Sequence, residues 1–472
     1  MTMNTEPTAP PPRRRISRPL LAALAALSVV TALGAVGVLW MRTDHGPATT
    51  ASDRTESNAT AAGHLAAPPV YCAGDWPSWR GPAGDNCAPQ ASCPTTWSEE
   101  QNIAWRTRLP GKGHSSPVVV GDRVFVTAAE ETPRRVLALA FDAKTGKELW
   151  RQTVAEGTFR PIHTFNSHAT PTPTCDGRRL YVAALVDGSV QLAALSVSDG
   201  KLLWSTDCGP CTAKWGLSGS PAYWRGLIYL VVDNPEGGWI AAFGAEHGEE
   251  IWRQTRPPAQ EGSYSSPLVA AVHGTEEVVV AGAETITAYK PDSGATAWSY
   301  QGIPSCCVST VVVAGDLCIS AGGWPDRRLT CVRLNQKSDD GEVRPEKLWE
   351  ATNSSEVPYV PTPLCHDGKL YVVNDQGVVT CREAASGTIL WKRRLEGNFQ
   401  ASPVLVGDRL LLANREGVSS LLDVDSGKVI AQNALSAGLH SSPTPSQALL
   451  YLRAENELYC IGEPHEARQN RP

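Results

Sequence analysis

WRTRLPGKGHSSPVVVGDRVFVTAAEETPRRVLALAFDAKTGKELWRQTV, residues 105–154, is the unit from which most of the chain is built. Its apolar runs, SSPVVV, RVFVTA, RVLALAFD and KELWRQTV, are short and separated by the Gly121/Asp122 and Thr145/Gly146 turns. Runs of that length, punctuated every ~8–12 residues by Gly and Asp, are the pattern of antiparallel strands rather than helices. One four-stranded sheet cannot bury both of its faces, so copies must stack on one another.

Working outward, Ser or Thr followed by Pro marks the first strand of successive copies at Ser116/Pro117, Thr170/Pro171, Ser220/Pro221, Ser266/Pro267, Thr362/Pro363, Ser402/Pro403 and Ser442/Pro443. Ser309/Thr310 marks a further copy without the proline. Proline is tolerated where a strand has a free edge, as the innermost strand of a propeller blade does on its channel side. The fourth strands count independently: Trp150, Trp204, Trp252, Trp298, Trp349 and Trp391 each follow a turn, with Ile430 in the matching place of the seventh copy. The last copy ends at ELYCIGE (457–463) without a fourth strand, whereas IAWRTRL (103–109) precedes the first copy. Pairing these two would close a ring, leave no sheet edge open and supply Trp105 as the missing aromatic. A small residue recurs six positions before the last turn glycine, at Ala140, Ala194, Ala242, Ala288 and Cys381, with Leu421 as the exception. Cys331 and Cys460 hold the same strand place and read as unpaired core residues. The expected fold is all-β, an eight-bladed β-propeller of four-stranded antiparallel blades over 103–463, closed by an N-terminal strand.

Fifteen Trp against six Phe and three Met fit one large aromatic at a fixed place in each copy. Net charge is −6, and residues 1–42 hold five Arg and one Glu, so the remainder is more acidic still. That excludes the basic face a nucleic-acid partner needs. Thirteen cysteines suit an oxidising compartment if several pair, and the odd total leaves at least one unpaired. Residues 1–18 form a Pro-rich tail whose Arg13, Arg14, Arg15 and Arg18 favour the cytoplasmic side. Leu20 to Trp40 carries no charge, and at 1.5 Å per residue it reaches about 31 Å, matching a hydrocarbon core of about 30 Å. Residues 19–41 therefore read as a transmembrane anchor in preference to a cleaved signal peptide, whose apolar run is shorter. Residues 42–70 read as a disordered linker, 71–102 as a Cys-containing leading segment and 464–472 as a tail. The expected location is the cytoplasmic (inner) membrane, single-pass, with the propeller on the periplasmic or extracytoplasmic side.

The SSPVVVGDRVFV start and DAKTGKELW end, repeated around a ring, resemble the pyrroloquinoline quinone (PQQ)-like β-propeller repeat family of the quinoprotein alcohol dehydrogenase-like superfamily. DWPSWRGPAGDN (75–86) resembles the segment leading into many bacterial members. The resemblance implies two functional branches: quinoprotein dehydrogenases, which bind PQQ with calcium, and BamB-like proteins, which are non-catalytic scaffolds in outer-membrane assembly. Fold does not choose between them. In the dehydrogenases a vicinal disulfide and a tryptophan sandwich the PQQ ring; here Cys306 and Cys307 are adjacent and Trp215 lies in another loop. The order is reversed, however, since the cysteine pair follows the tryptophan. Asn166, Asp233 and Asn234 are available as calcium ligands or catalytic acid, but nothing in their context marks them.

Loops joining a fourth strand to the next first strand should converge on one mouth of the channel. Three positions before each marker proline, or its Thr310 equivalent, stand His114, His168, Ser218, Tyr264, Cys307, Val360, Gln400 and His440. His440, His114 and His168 then fall on neighbouring blades, where three imidazoles could hold zinc or copper and leave an open position. The plainer reading is that they line a wet channel. Cys208 and Cys211, in CGPC, have the C-x-x-C spacing of redox and metal sites, but with no helix N-terminus beside them they read as a local disulfide. There is no phosphate-binding or dinucleotide loop and no serine nucleophile elbow.

The reading is a binding or scaffold protein, with a protein partner at the propeller face, membrane contact through the N-terminal helix, no nucleic acid and no cofactor. Its expected ligand-binding residues are His114, His168, Trp215, Tyr264, Cys306, Cys307, Gln400 and His440. The rival is an oxidoreductase using PQQ with calcium, or a metal, at the channel mouth. A third reading is recognition of a small molecule or polysaccharide by the His, Tyr and Trp ring.

Overall fold

The computed structural model describes residues 65–324, 326–335 and 342–463. The expected tail 1–18, the anchor 19–41, most of the linker and the tail 464–472 lie outside the described residues. Among those described, every regular element is a strand, and no helix is long and apolar enough to cross a membrane. Eight antiparallel sheets succeed one another. The first contains Val118–Val120, Arg123–Glu131, Arg134–Asp142 and Glu148–Glu156. Six more occupy 174–210, 222–256, 268–301, 312–351, 364–394 and 404–434. The eighth combines Thr444–Ser446, Leu449–Arg453 and Glu457–Ile461 with Ile103–Arg108, placing Trp105 opposite Cys460.

The recurring tryptophan, small residue and glycine form one device. Trp150 on an outer strand faces Ala140 on its neighbour, Trp252 faces Ala242, Trp349 faces Cys331 and Trp391 faces Cys381, so the small side chain makes room for the indole. The indole then reaches the next blade: Trp105 Nε1 donates to Ala143 O (3.0 Å), Trp150 Nε1 to Val197 O (3.1 Å) and Trp391 Nε1 to Val424 O (3.0 Å). Beneath each ring lies the turn glycine of that next blade. A Cβ on Gly146 would come within 3.0 Å of the Trp105 ring, and one on Gly387 within 3.0 Å of Trp349.

Two departures follow from this geometry. Between its third and fourth strands, Arg328–Asn335 and Arg344–Ala351, blade five has the polar sequence QKSDDGEV in place of the short glycine turn, and the indole that would dock there, Trp298, donates instead to Glu277 Oε2 (2.6 Å). Blade seven faces blade eight, whose third strand, Glu457–Ile461, and fourth strand, Ile103–Arg108, are not joined by a turn, and it has no tryptophan. Its partner of Leu421 is Ala431, not Ile430 as expected; a bulge before the paired position leaves Ile430 42% exposed. Here the larger residue of the pair, Leu421, is on the third strand and the smaller, Ala431, on the fourth.

The Ser/Thr of each inner strand forms a clasp around the channel. The Ser116 N–H donates to Thr172 Oγ1 (2.9 Å), Thr172 to Ser220 (3.0 Å), Ser220 to Ser266 (2.9 Å) and Ser266 to Thr310 (3.0 Å). Thr310 continues to Thr362, Thr362 to Ser402 and Ser402 to Ser442, each at 3.0 Å. At the seam between blades eight and one, Thr444 Oγ1 donates to Pro117 O (2.7 Å) and the buried Arg453 to Ser115 O (3.2 Å). This ring corrects two markers. Blade two uses Thr172/Pro173 instead of Thr170/Pro171, and blade five uses Thr310 itself as the clasp residue, with Val311 where others have proline.

The leading segment crosses the far end of the channel. Trp76 bridges to Val119 in blade one, Pro77 O accepts from Cys175 N (2.8 Å) in blade two, and Arg80 donates to Pro363 O (3.2 Å) in blade six. Cys87–Ala88 adds a parallel strand to Val404–Val406 of blade seven, and Ser92 N reaches Gln447 O (2.8 Å) in blade eight.

Candidate functional site

On the opposite side from the leading segment's crossing, the loops between blades surround a cavity of about 540 Å³. Inner-strand hydroxyls form its wall, and Trp79 of the leading segment lines it as well. Six register positions expected at the mouth are there: His114, Ser218, Tyr264, Val360, Gln400 and His440, together with Trp215 and Cys306. Two are not. The clasp shifts blade two by two residues and blade five by one, so Thr170 and Val308 line the cavity in place of His168 and Cys307.

His168 instead stacks on Phe159, ring centroids 4.2 Å apart. The three-histidine metal centre, the alternative to histidines lining a wet channel, is not assembled: among the described residues no three His, Cys, Asp or Glu side chains are grouped to hold a metal ion. His114 and His440 do meet, but face to face, with centroids 4.5 Å apart and planes 7° apart, so their lone pairs do not converge. His440 Nδ1 is 2.7 Å from Gln400 Oε1; since a carbonyl oxygen only accepts, Nδ1 carries the proton in that pairing. Burial, then His440 and Arg453, pushes His114 down to about 3, and burial followed by Arg415 lowers His440. Both imidazoles are neutral at physiological pH.

The expected Cys208–Cys211 disulfide is corrected too, and Cys306 and Cys307 form no vicinal disulfide. Cys306 and Cys307 are separate thiols: Cys306 Sγ lies 3.8 Å from Tyr359 Oη at the cavity, while Cys307 Sγ donates to Pro304 O (3.4 Å) in the blade core. An extended backbone sends successive side chains to opposite faces. Cys208 and Cys211 are likewise separate buried thiols, Cys208 Sγ turning back to Thr206 O (3.6 Å) on its own strand. Burial raises all four, Cys306 to about 11 and both Cys307 and Cys208 to about 12.

Glu261, Asp375 and Asp233 each have a partner. Glu261 lies 3.2 Å from Lys214 Nζ. Asp375 accepts from Tyr359 N (2.7 Å) and Val360 N (3.2 Å) and pairs with Arg327 (3.3 Å). Asp233 is held bidentate by Arg256 at 2.6 and 3.2 Å, both side chains being buried. Asn234 Oδ1 takes the Thr212 and Ala213 N–H groups, and Asn166 Nδ2 donates to Trp215 O (2.7 Å). Sequence reading missed the aromatic rim of Phe165, Trp324 and Tyr359, which lies in loops outside the repeat register. Trp324 is 56% and Phe165 47% exposed. Trp79 was visible only as part of DWPSWRGPAGDN, with no signal that it reached the channel.

A family model of PQQ-type repeats, described as outer membrane protein assembly factor BamB, matches residues 134–383, 339–421 and 375–463. A polyvinylalcohol dehydrogenase of a Pseudomonas species is 24% identical over 240 residues, covering 42% of this chain and 36% of that protein. BamB of Burkholderia pseudomallei is 29% identical over 143 residues, covering 30% of each. The chain thus spans about a third of the length of these curated relatives. The crystal structure of BamB from Moraxella catarrhalis superposes with a TM-score of 0.55 at 14% identity, covering 76% of this chain and 98% of that one, a likeness of fold alone.

Proposed function

The chain belongs to the PQQ-repeat propeller family described as outer membrane protein assembly factor BamB, and on that footing we propose that it is a non-catalytic binding protein, held at the outer side of the cytoplasmic membrane by residues 19–41. A protein partner meets its propeller face. The observation that carries this reading is the commitment of the acids around the cavity. A calcium ion needs about six to eight oxygen ligands, whereas the one carboxylate lining the cavity among the described residues, Glu261, is paired with Lys214. The candidate catalytic acid Asp233 is neutralised by Arg256, away from the cavity lining. With Cys306 and Cys307 facing different surroundings, the residues present do not fit PQQ with calcium, although a relative is a dehydrogenase.

The polar wall and exposed aromatic rim are the features of a recognition surface, in which large rings supply contact area at little entropic cost. A photo-crosslinking amino acid placed at Phe165, exposed at the mouth, should yield a discrete protein adduct in native membranes. Uniformly absent adducts from Phe165 and from a second position at Trp324 would refute the protein-partner reading.

A further inference from the structure

We propose that the cavity receives the end of a neutral, hydroxyl-rich chain, the terminal sugars of a glycan. This rests on reading the cavity as a binding site and adds a ligand to the protein partner.

The first argument is topological. The leading segment ties blades one, two, six, seven and eight across the far end of the channel, and its Trp79 lines the cavity. A polymer therefore meets a floor and enters by a terminus instead of threading through. The volume of about 540 Å³ falls within the ~300–1,000 Å³ of small-ligand sites, enough for a short end segment.

The second argument is charge. Lys214 is matched by Glu261 at 3.2 Å and Arg327 by Asp375 at 3.3 Å. Arg453 and Arg415 stand behind the histidine wall and do not line the cavity: Arg453 donates to Ser115 O, with its Nε and Nη2 unpaired among the described residues, and Arg415 lies over the Phe165 ring at 4.4 Å. A peptide terminus or uronate would lose its hydration here without a free counter-charge lining the cavity, which is costly. A neutral polyol meets no such penalty.

The third is hydrogen-bonding complement. Each clasp Oγ from Thr172 to Ser442 accepts an N–H from the preceding blade; except at Thr310, whose hydroxyl donates to Ser266 O (3.5 Å), this leaves the O–H able to donate inward. With Nδ1 engaged by Gln400, the neutral His440 keeps Nε2 as an acceptor. Alternating donors and acceptors below an aromatic rim suit sugar hydroxyls and the apolar C–H face of a sugar ring respectively.

The test uses the full chain in detergent on an array of neutral and acid-terminated oligosaccharides, each neutral chain attached through one end or the other. The expected result is binding to a neutral chain in one orientation only, weakened about tenfold by Trp324→Ala and unchanged by Leu390→Ala on the outer rim, where Leu390 is 52% exposed. Silence on every neutral chain, preference for acid-terminated chains, or equal signals in both orientations overturns the proposal. Silence on glycans with a crosslinked protein partner retained would remove this inference and leave the scaffold reading; oxidation of a bound glycan would do the reverse.

Discussion

Gly121 and Gly146 offer a controlled pair for testing how the blades hold together. Both are left-handed, with φ of +59° and +69°, so alanine at either site carries the backbone cost of about 1–2 kcal/mol. A Cβ on Gly121 meets nothing within 4 Å, whereas one on Gly146 would come within 3.0 Å of the Trp105 ring and lie 2.9 Å from Thr107 Oγ1. Overpacking of that kind adds about 1–3 kcal/mol. Gly121→Ala should therefore cost about 1 kcal/mol and Gly146→Ala about 3 kcal/mol. Trp105, 8% exposed, should cost about 3–5 kcal/mol as Trp105→Ala, and in that background the added cost of Gly146→Ala should fall back towards 1 kcal/mol. Such a loss of additivity is what a double-mutant cycle measures for touching residues. The assay is urea unfolding of the full chain followed by circular dichroism. Equal costs for the two glycine variants, or full additivity of Gly146→Ala with Trp105→Ala, would refute the docking of each tryptophan on the next blade.

Three further outcomes are expected. Asp233→Ala should destabilise by about 3–5 kcal/mol, because it leaves the fully buried Arg256 guanidinium without its counter-charge; a loss below about 1 kcal/mol in the same unfolding assay would show that the pair is not needed. His114, held down to about 3 in the fold against about 6.5 unfolded, binds its proton more weakly when folded. Its stabilisation is therefore complete above pH ~6.5 and drains as pH falls towards 3, by up to roughly 1.4 kcal/mol per unit. His114→Gln should flatten that part of the stability profile, and an unchanged slope would contradict the assignment. Thiol titration of the native protein should label the exposed Cys72 quickly and the buried Cys208, Cys211, Cys306 and Cys307 only on unfolding. An intact mass short of two hydrogens, mapped to Cys208–Cys211, would contradict the separate thiols.

The blades were legible because the information is local. Gly and Asp turns set the hairpins, and the alternation of small residue and tryptophan repeats in every copy that has a following turn to dock on. What escaped was register at places where local pattern is degenerate. Thr170-Pro171-Thr172-Pro173 offers two identical dipeptides, and only the requirement that Thr172 Oγ1 receive the Ser116 N–H selects the second. Blade five lacks the proline, so Ser309 and Thr310 were indistinguishable until Thr310 was seen between Ser266 and Thr362. Those two slips moved His168 and Cys307 out of the cavity and with them the metal centre. Ile430 was mistaken for Ala431 because a bulge precedes the paired position. The floor at Trp79 depends on contacts between segments far apart in sequence, and the Asp233–Arg256 pair, within one blade, on two side chains that do not recur in the other copies, so no periodicity encodes either.

The claim that the cavity binds without catalysing is tested most directly by titrating the full chain with PQQ in the presence of calcium while following absorbance and dye-linked alcohol oxidation. The committed acids around the cavity predict no saturable one-to-one uptake and no oxidation above the protein-free control. Stoichiometric PQQ binding with turnover would contradict the account.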